Sequence, residues 1–415
     1  MPRYHIWTIG CQMNKAESER LASLFEKDGL QANDRAETAD FIVLNTCIVR
    51  KHAEDRVVNK LASLKSMKKS NPNLKLAVTG CWVDSDIDQL KKKYPYIDHF
   101  FKAGECPPWQ EYDDWKQTLP EKPQVATYVP IIQGCNNFCA YCVVPYRRGR
   151  EKSRPLAEIV CEVRELVRRG TREVTLIGQN VDSYGHDLPE KPELADLLIE
   201  LNSVGDLWRI RFLTNHPKDM SHRLIDTTAR LNKICPAFNI PAQAGSDKIL
   251  KMMRRGYTIE QYRNLIAEIR EKIPGAALSN DVIVGFPSET EEQFQETVKL
   301  LTDLRFDAVH IAAYSPRPGT IATRDYDDDV PAVEKKRRLQ ILEKLQERIA
   351  AEINASRMGK SIEVLVEGKQ KGKWYGRTRT DKIVFFSDSK NWSGKLAILD
   401  IERTSPWSLQ GGLHQ

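Results

Sequence analysis

The chain has 415 residues, enough for two or three domains at roughly 150 residues each. Hydrophobic residues at 41% and charged ones at 29% suit a globular protein in water and exclude a disordered chain. With 63 Lys and Arg against 57 Asp and Glu the net charge is +6, which permits nucleic-acid binding without requiring it.

The first hundred residues alternate strand-like and helix-like segments: YHIWTI, the periodic NKAESERLASLFEKDG, FIVLN, a basic helical run ending near Lys69, and LKLAVTG. Apolar runs followed by 3.6-period segments mark successive βαβ units, so residues 1–118 are predicted to form an open parallel αβ domain. Pro107, Pro108, Pro120 and Pro123 punctuate a polar stretch that reads as a linker. Beyond Val125, six strand candidates follow: ATYVPI, EVTLIG, WRIRFL, AFNI, LSNDVIVG and DAVHIAAY. Helical stretches such as PLAEIVCEVRELVRRG lie between them. This predicts a partial β/α barrel over residues 121–352 whose loops after the strands carry the chemistry. A charged helix from Val333 to about Arg357 leads out of it. SIEVLVEG, KIVFFSD and KLAILDIE are short and β-rich, so residues 355–415 are predicted to form a small all-β module.

No apolar run approaches the roughly 20 residues that cross a bilayer, and the start MPRYHIWTIG lacks the order of a signal peptide. The chain therefore reads as cytoplasmic, with no membrane partner. Thiols stay reduced there, so the nine cysteines are core residues, nucleophiles or metal ligands. Cys135, Cys139 and Cys142 lie within eight residues in GCNNFCAYC, just after the first barrel strand. Close spacing lets one loop wrap an iron–sulfur cluster, and three ligands rather than four leave one iron open. A zinc knuckle lacking its fourth ligand is the alternative. Cys11, Cys47 and Cys81 are far apart in sequence, but each directly follows a predicted strand. In a parallel sheet such strand ends share one edge, so three thiols can meet there. Cys106, Cys161 and Cys235 share no such phase and read as packing residues, Cys161 on the apolar side of a helix.

The CxxxCxxC loop on a partial barrel resembles the radical S-adenosylmethionine (SAM) enzymes. Over essentially the full chain the layout resembles their methylthiotransferase family, with a terminal module similar to the TRAM RNA-binding domain. TIGCQMNKAESE, GCNNFCAYCVVPYRRGREKSRP, LIGQNVDSYG and SNDVIVGFPSET are most similar to the MiaB-type tRNA enzymes. The resemblance implies SAM and two [4Fe-4S] clusters as cofactors. It makes Cys135, Cys139 and Cys142 catalytic, through a cluster that cleaves SAM to a 5′-deoxyadenosyl radical, which takes a hydrogen from C2 of an adenine. The cluster on Cys11, Cys47 and Cys81 then supplies the sulfur of a methylthio group. The implied substrate is N6-isopentenyladenosine at position 37, in a tRNA anticodon stem-loop. Rival readings are the same reaction on N6-threonylcarbamoyladenosine, with a ribosomal-protein target further off, and an RNA-binding iron–sulfur protein without catalysis. A monomer and an electron donor such as flavodoxin or ferredoxin complete the picture.

Carried over residue by residue, the resemblance puts Tyr141 beside the SAM adenine and Gly178, Gln179 and Asn180 at the methionine amino group. Gln243 and Ser246 fall in the ribose region, and Ile283 and Gly285 on the adenine side. Asp281 and Ser288 stand where general radical SAM patterns often carry Gly and Glu. Each glycine also reads as a tight turn after a strand, and His216 reads equally as a pocket-lining group or a satisfied core histidine. From Arg357 onward eleven Lys and Arg face six Asp and Glu, so a net +5 sits on the terminal module. There KGKWYGRTRTDK interleaves Lys373, Arg377 and Arg379 with Trp374 and Tyr375, the mixture that holds phosphates and stacks on unpaired bases. YRRGREKSR places Arg147 and Arg148 beside the CxxxCxxC loop, where they are expected to steer an RNA backbone.

Overall fold

In the computed structural model, which describes residues 1–48, 51–83, 86–111 and 118–414, the N-terminal αβ alternation folds into a five-stranded parallel sheet. Its strands are β1 (Arg3–Thr8), β2 (Gln31–Ala32), β3 (Phe41–Thr46), β4 (Lys75–Gly80) and β5 (His99–Phe100), ordered β2-β1-β3-β4-β5. Helices α1 (Gln12–Lys27) and α2 (Lys51–Ser70) cover opposite faces. Ile42 and Leu44 pack with Val57, Leu61 and Leu64 of α2, whereas Val43 packs with Leu21, Leu24 and Phe25 of α1. A strand buried on both faces must be apolar throughout, which is why FIVL reads as a continuous run. The stretch read as a linker departs from that expectation at its start. Trp109 lies 4.9 to 6.0 Å from the rings of Phe25, Phe41, His99 and Phe101, so this end is packed onto the sheet. Residues 112–117 of the expected linker lie outside the described residues.

All six barrel strands form: β6 (Ala126–Pro130), β9 (Glu173–Ile177), β10 (Arg209–Phe212), β11 (Ala237–Asn239), β12 (Ala277–Val284) and β13 (Ala308–Ala313). Two short strands, β7 (Ile132–Gln133) and β8 (Lys152–Ser153), pair across the base of the CxxxCxxC loop. The six run parallel in sequence order as two sheets of three, joined by an Ile210–Ile234 bridge. Two of their helices, Ile259–Lys272 and Glu291–Leu304, begin on a capping box: Thr258 and Thr290 each accept a backbone N–H at the third helical position, and a Gln side chain answers in return. Among the described residues no helix is long and apolar enough to cross a membrane.

The terminal module is a closed five-stranded barrel of β14 (Ser361–Gln370), β15 (Lys373–Thr378), β16 (Ile383–Phe386), β17 (Leu396–Thr404) and β18 (Leu409–Leu413). Sequence reading finds three of these strands and misses β15 and β18. It docks at the amino-terminal ends of the large barrel's strands. Arg209 donates to the Arg377 carbonyl (2.6 Å) and Glu363 (2.7 Å), and Arg211 to the carbonyls of Thr378 (2.7 Å) and Arg379 (2.9 Å).

Candidate functional site

β1, β3 and β4 are neighbours in the sheet, so Cys11, Cys47 and Cys81 emerge at one edge from adjacent strand ends. A polar lattice fixes these ends. Asn14 Nδ2 donates to Asn45 Oδ1 (2.7 Å) and the Thr46 carbonyl (2.9 Å), and the Asn45 amide returns a bond to the Asn14 carbonyl (2.9 Å). The Cys11 thiol donates to Asn14 Oδ1 (3.3 Å), and the Cys81 N–H to the Thr46 carbonyl (3.0 Å). Gly80, at φ +97°, allows the close approach of β3 and β4, since a Cβ there would run into the Thr46 backbone.

The loop carrying Cys135, Cys139 and Cys142 is held at both ends. The Gly134 N–H donates to Gln179 Oε1 (2.5 Å), and the Ala140 N–H to the Met253 carbonyl (2.9 Å). Gly134 sits at φ +80° against the Arg150 carbonyl, leaving no room for a side chain.

All six cysteines line one cavity of about 290 Å³ between the N-terminal sheet and the open end of the barrel strands. Burial pushes Cys81 and Cys135 up to about 11 and Cys142 to about 12, so as free thiols they hold their protons. Two buried guanidiniums act against this. Arg148 Nε donates to Cys81 Sγ (3.0 Å), and Arg255 Nη1 to Cys139 Sγ (3.4 Å). The remaining Arg255 bonds go to the Tyr257 hydroxyl (3.1 Å) and the Pro241 carbonyl (2.7 Å), none of them a carboxylate. Burial lowers the pKa of both arginines, but the surrounding acids, thiols and phenols outweigh it and hold them cationic. A thiol-only donor set facing buried cations fits an anionic iron–sulfur cluster, with soft ligands for iron and positive charge to balance it. Among the described residues no three such ligands converge on a single point as one metal ion requires. In a four-iron cluster each cysteine binds its own iron, so the thiols stand further apart.

Of the residues expected at SAM, Tyr141, Gly178, Gln179 and Gln243 line the cavity and four do not. Asn180 is buried and donates to Ser183 (2.5 Å) and Asp219 (2.7 Å). Ser246 is buried at the N-cap position of the Asp247–Met252 helix without a side-chain cap bond, and Ile283 packs in the same apolar cluster as Tyr141. Gly285 turns the chain at φ +67° and donates to Glu289 (2.5 Å), which pairs with Arg338 (2.8 Å). Next to the Ser288 departure, a glutamate is therefore present one residue on. His216 lines the cavity with a buried Nε2 that has no partner, which favours the pocket reading over a satisfied core histidine.

Three expectations need correction. Arg148 is 7% exposed and ion-paired with Glu17 (2.7 Å), so it faces the cavity instead of an RNA. Trp374 is 8% exposed in the small barrel's core and donates to the Asp388 carbonyl (3.1 Å), so its ring is no stacking platform. Cys161 is exposed, on the opposite face of its helix from the buried Ile159 and Val163. Of the other basic residues, Arg379 donates to the carbonyls of Asn232 and Ile234 (both 2.7 Å) and joins the module to the barrel. Arg377 is half-buried between Glu367 (3.3 Å) and Asp381 (3.0 Å). Lys373 is exposed, and half-buried Arg147 lines a basic cleft with Lys102, Arg150 and Lys152.

Sequence reading misses Arg255, Asn137, Asn215 and Asn239, all on the cavity wall. Asn137 sits inside the CxxxCxxC loop, where nothing in its residue type marks it out, and only folding brings Arg255, Asn215 and Asn239 to the cysteines, so spacing carries no signal for those three. A backbone signal exists in the fold: Phe138, Thr214 and Gln243 hold φ of +46°, +72° and +73° around the cavity, conformations that cost energy in non-glycine residues.

Three family models match the chain: "Radical SAM superfamily" over residues 129–301, "Uncharacterized protein family UPF0004" over 3–102 and "TRAM domain" over 355–413. The tRNA-2-methylthio-N(6)-dimethylallyladenosine synthase of Dehalococcoides mccartyi strain CBDB1 is 56% identical, covering 100% of this chain and 99% of that protein. The enzyme of that name from Roseiflexus sp. strain RS-1 is 49% identical over 99% and 89%. Among solved structures, the radical SAM methyltransferase TsrM of Kitasatospora setae superposes with a TM-score of 0.55. It covers 78% of this chain and 74% of its own at 14% identity, a likeness of fold.

Proposed function

The chain belongs to the tRNA-2-methylthio-N(6)-dimethylallyladenosine synthase family of radical SAM enzymes, and on that premise we propose that it adds a methylthio group to C2 of N6-isopentenyladenosine at position 37 of tRNA. The observation that carries this reading is the meeting of both cysteine triples at one cavity. We propose that Cys135, Cys139 and Cys142 hold one [4Fe-4S] cluster together with SAM and that Cys11, Cys47 and Cys81 hold a second. When bound, these groups supply the radical chemistry that an unactivated C–H bond demands and the sulfur that replaces the hydrogen.

The chain's own residues orient and enclose. Tyr141, Gly178, Gln179 and Gln243 are proposed to contact SAM in the cavity, with Gln179 also tethering the cluster loop through Gly134. The buried walls exclude water, which protects a radical from side reactions. Phe138, exposed Tyr146 and Arg150 form a cationic, aromatic lip beside the loop, with rings 5.7 Å apart and the guanidinium 4.4 Å over Phe138. We propose that the tRNA anticodon loop approaches over this lip, its phosphates held by the cleft of Lys102, Arg147, Arg150 and Lys152, while Lys373 of the TRAM module holds the tRNA backbone beyond the loop. The proposed division of the chain is 1–118, 121–352 and 355–415. A cytoplasmic monomer with flavodoxin or ferredoxin as donor completes the proposal, since SAM cleavage consumes an electron and ligand thiols need a reducing compartment.

Nucleoside mass analysis of tRNA from a deletion strain tests the reading. Loss of 2-methylthio-isopentenyladenosine with accumulation of isopentenyladenosine is expected. Its persistence, with loss of the methylthio-threonylcarbamoyl derivative instead, overturns the substrate assignment. In an anaerobic assay with reductant and SAM, the reconstituted parent is expected to form 5′-deoxyadenosine and Cys139→Ala to form none, whereas a purely structural cluster would yield none in either.

A further inference from the structure

We propose that Arg148 is a positioning residue for the N-terminal cysteine triple: reaching across from the barrel, it holds Cys81 at the cavity and sets the reduction potential of the cluster bound there. This rests on the reading that Cys11, Cys47 and Cys81 hold an iron–sulfur cluster. Arg148 ends a five-residue helix, Val144–Arg148, that begins two residues after Cys142 and stops at Gly149, φ +77°. Its place is therefore fixed by the radical-site loop. The same segment touches the other triple, because Val143 packs in one apolar cluster with Cys81, Ile48 and Ala103. The guanidinium then spans the two parts, with Nε on Cys81 Sγ at 3.0 Å and Nη1 on Glu17 Oε1 at 2.7 Å.

Burying an ion pair is a poor way to gain stability, because desolvation offsets the attraction and a packed apolar pair would serve as well. The arrangement is also incompletely satisfied: Arg148 Nη2 and Glu17 Oε2 are buried without hydrogen-bond partners. What a guanidinium supplies and an apolar side chain lacks is an N–H and a positive charge at the ligand sulfur. Both stabilise the reduced, more negative state of a thiolate-bound cluster and so raise its potential. Glu17 holds the fork in place and, as the more distant negative end, opposes that effect. Arg148 donates to Cys81 and to none of the barrel cysteines, so its influence belongs to the N-terminal centre.

The test uses the full chain with Cys135, Cys139 and Cys142 replaced by alanine, reconstituted anaerobically so that only the N-terminal triple binds iron. Iron per chain and the midpoint potential, followed by electron paramagnetic resonance, are the readouts. Arg148→Met is expected to shift the potential downward with iron retained, and Arg148→Lys to recover part of the shift because the charge remains. Iron retained at an unshifted potential in Arg148→Met overturns the inference alone. No iron in the parent overturns the reading of the triple and this inference with it. Should Arg148→Met fail to fold, the near-isosteric Glu17→Gln decides: an upward shift supports the proposal, and an unchanged or lower potential overturns it.

Discussion

Asp182 and His216 form an opposed pair of titrating groups beside the cavity. Asp182 accepts from the His216 N–H (2.7 Å) and Asn215 Nδ2 (2.6 Å), yet burial outweighs both bonds and raises its carboxyl to about 7. Burial, helped by Arg255 and Lys218, drops His216 to about 2. An unfolded Asp releases its proton near pH 4. Between there and about 7 the folded state holds the extra proton, and stability falls as pH rises. An unfolded His takes up its proton near 6.5. From there down to about 2 the unfolded state holds the extra proton, and stability rises with pH. From roughly pH 4 to 6.5 the two slopes oppose and nearly cancel. Asp182→Asn removes one of them, so the stability of the iron-free variant is expected to climb with pH by up to about 1.4 kcal/mol per unit across that window. Melting curves at several pH values decide it, and equal slopes in variant and parent would count against the assignment. A second contrast separates core from surface on β15. Trp374→Ala is expected to destabilise the small barrel by about 3–5 kcal/mol. Lys373→Ala should leave melting nearly unchanged and lower the salt dependence of tRNA binding by about one unit of slope.

At the scale of elements, alternation explains both the success and the miss. β3 and β4 are legible because a strand buried on both faces must be an apolar run. β15 is not, because KWYGRT breaks its aromatic pair with Lys and Gly, residues that strands disfavour. Only barrel closure shows that Trp374, Gly376 and Thr378 face inward while Lys373, Tyr375 and Arg377 face out. Gly80 shows what such an element demands. On the proposed cluster assignment, Gly80→Ala is expected to push β4 away from β3 and to cost the N-terminal triple its iron, while the barrel triple keeps its own. Iron analysis of this variant in the presence and absence of the barrel cysteines checks that outcome; full iron at both sites would refute it.

At the scale of the molecule, the TRAM module is docked by buried charge. Arg211 lies between Glu173 (2.7 Å) and two carbonyls of the module. Arg211→Met would strand Glu173 as a buried, poorly paired charge, at a cost of about 3–5 kcal/mol. Proteolysis near residues 355–360 should then release the module, and Glu173→Gln in the same chain should restore much of the resistance. A module that stays protected in the single variant would show the docking to be apolar.

The sequence by itself determined the α/β class, the six barrel strands and both cysteine triples. These depend on local period and on strand ends, which the order of residues encodes directly. It also located the positive excess in the terminal module. The tertiary structure alone decided that Arg148 meets Cys81 and Glu17, residues 67 and 131 positions away, and that Arg255 reaches Cys139 from 116 positions away. It decided too that Trp374 is core and that burial raises the Asp182 carboxyl to about 7. Burial and long-range pairing set these properties, and both arise only when segments distant in sequence exclude water together.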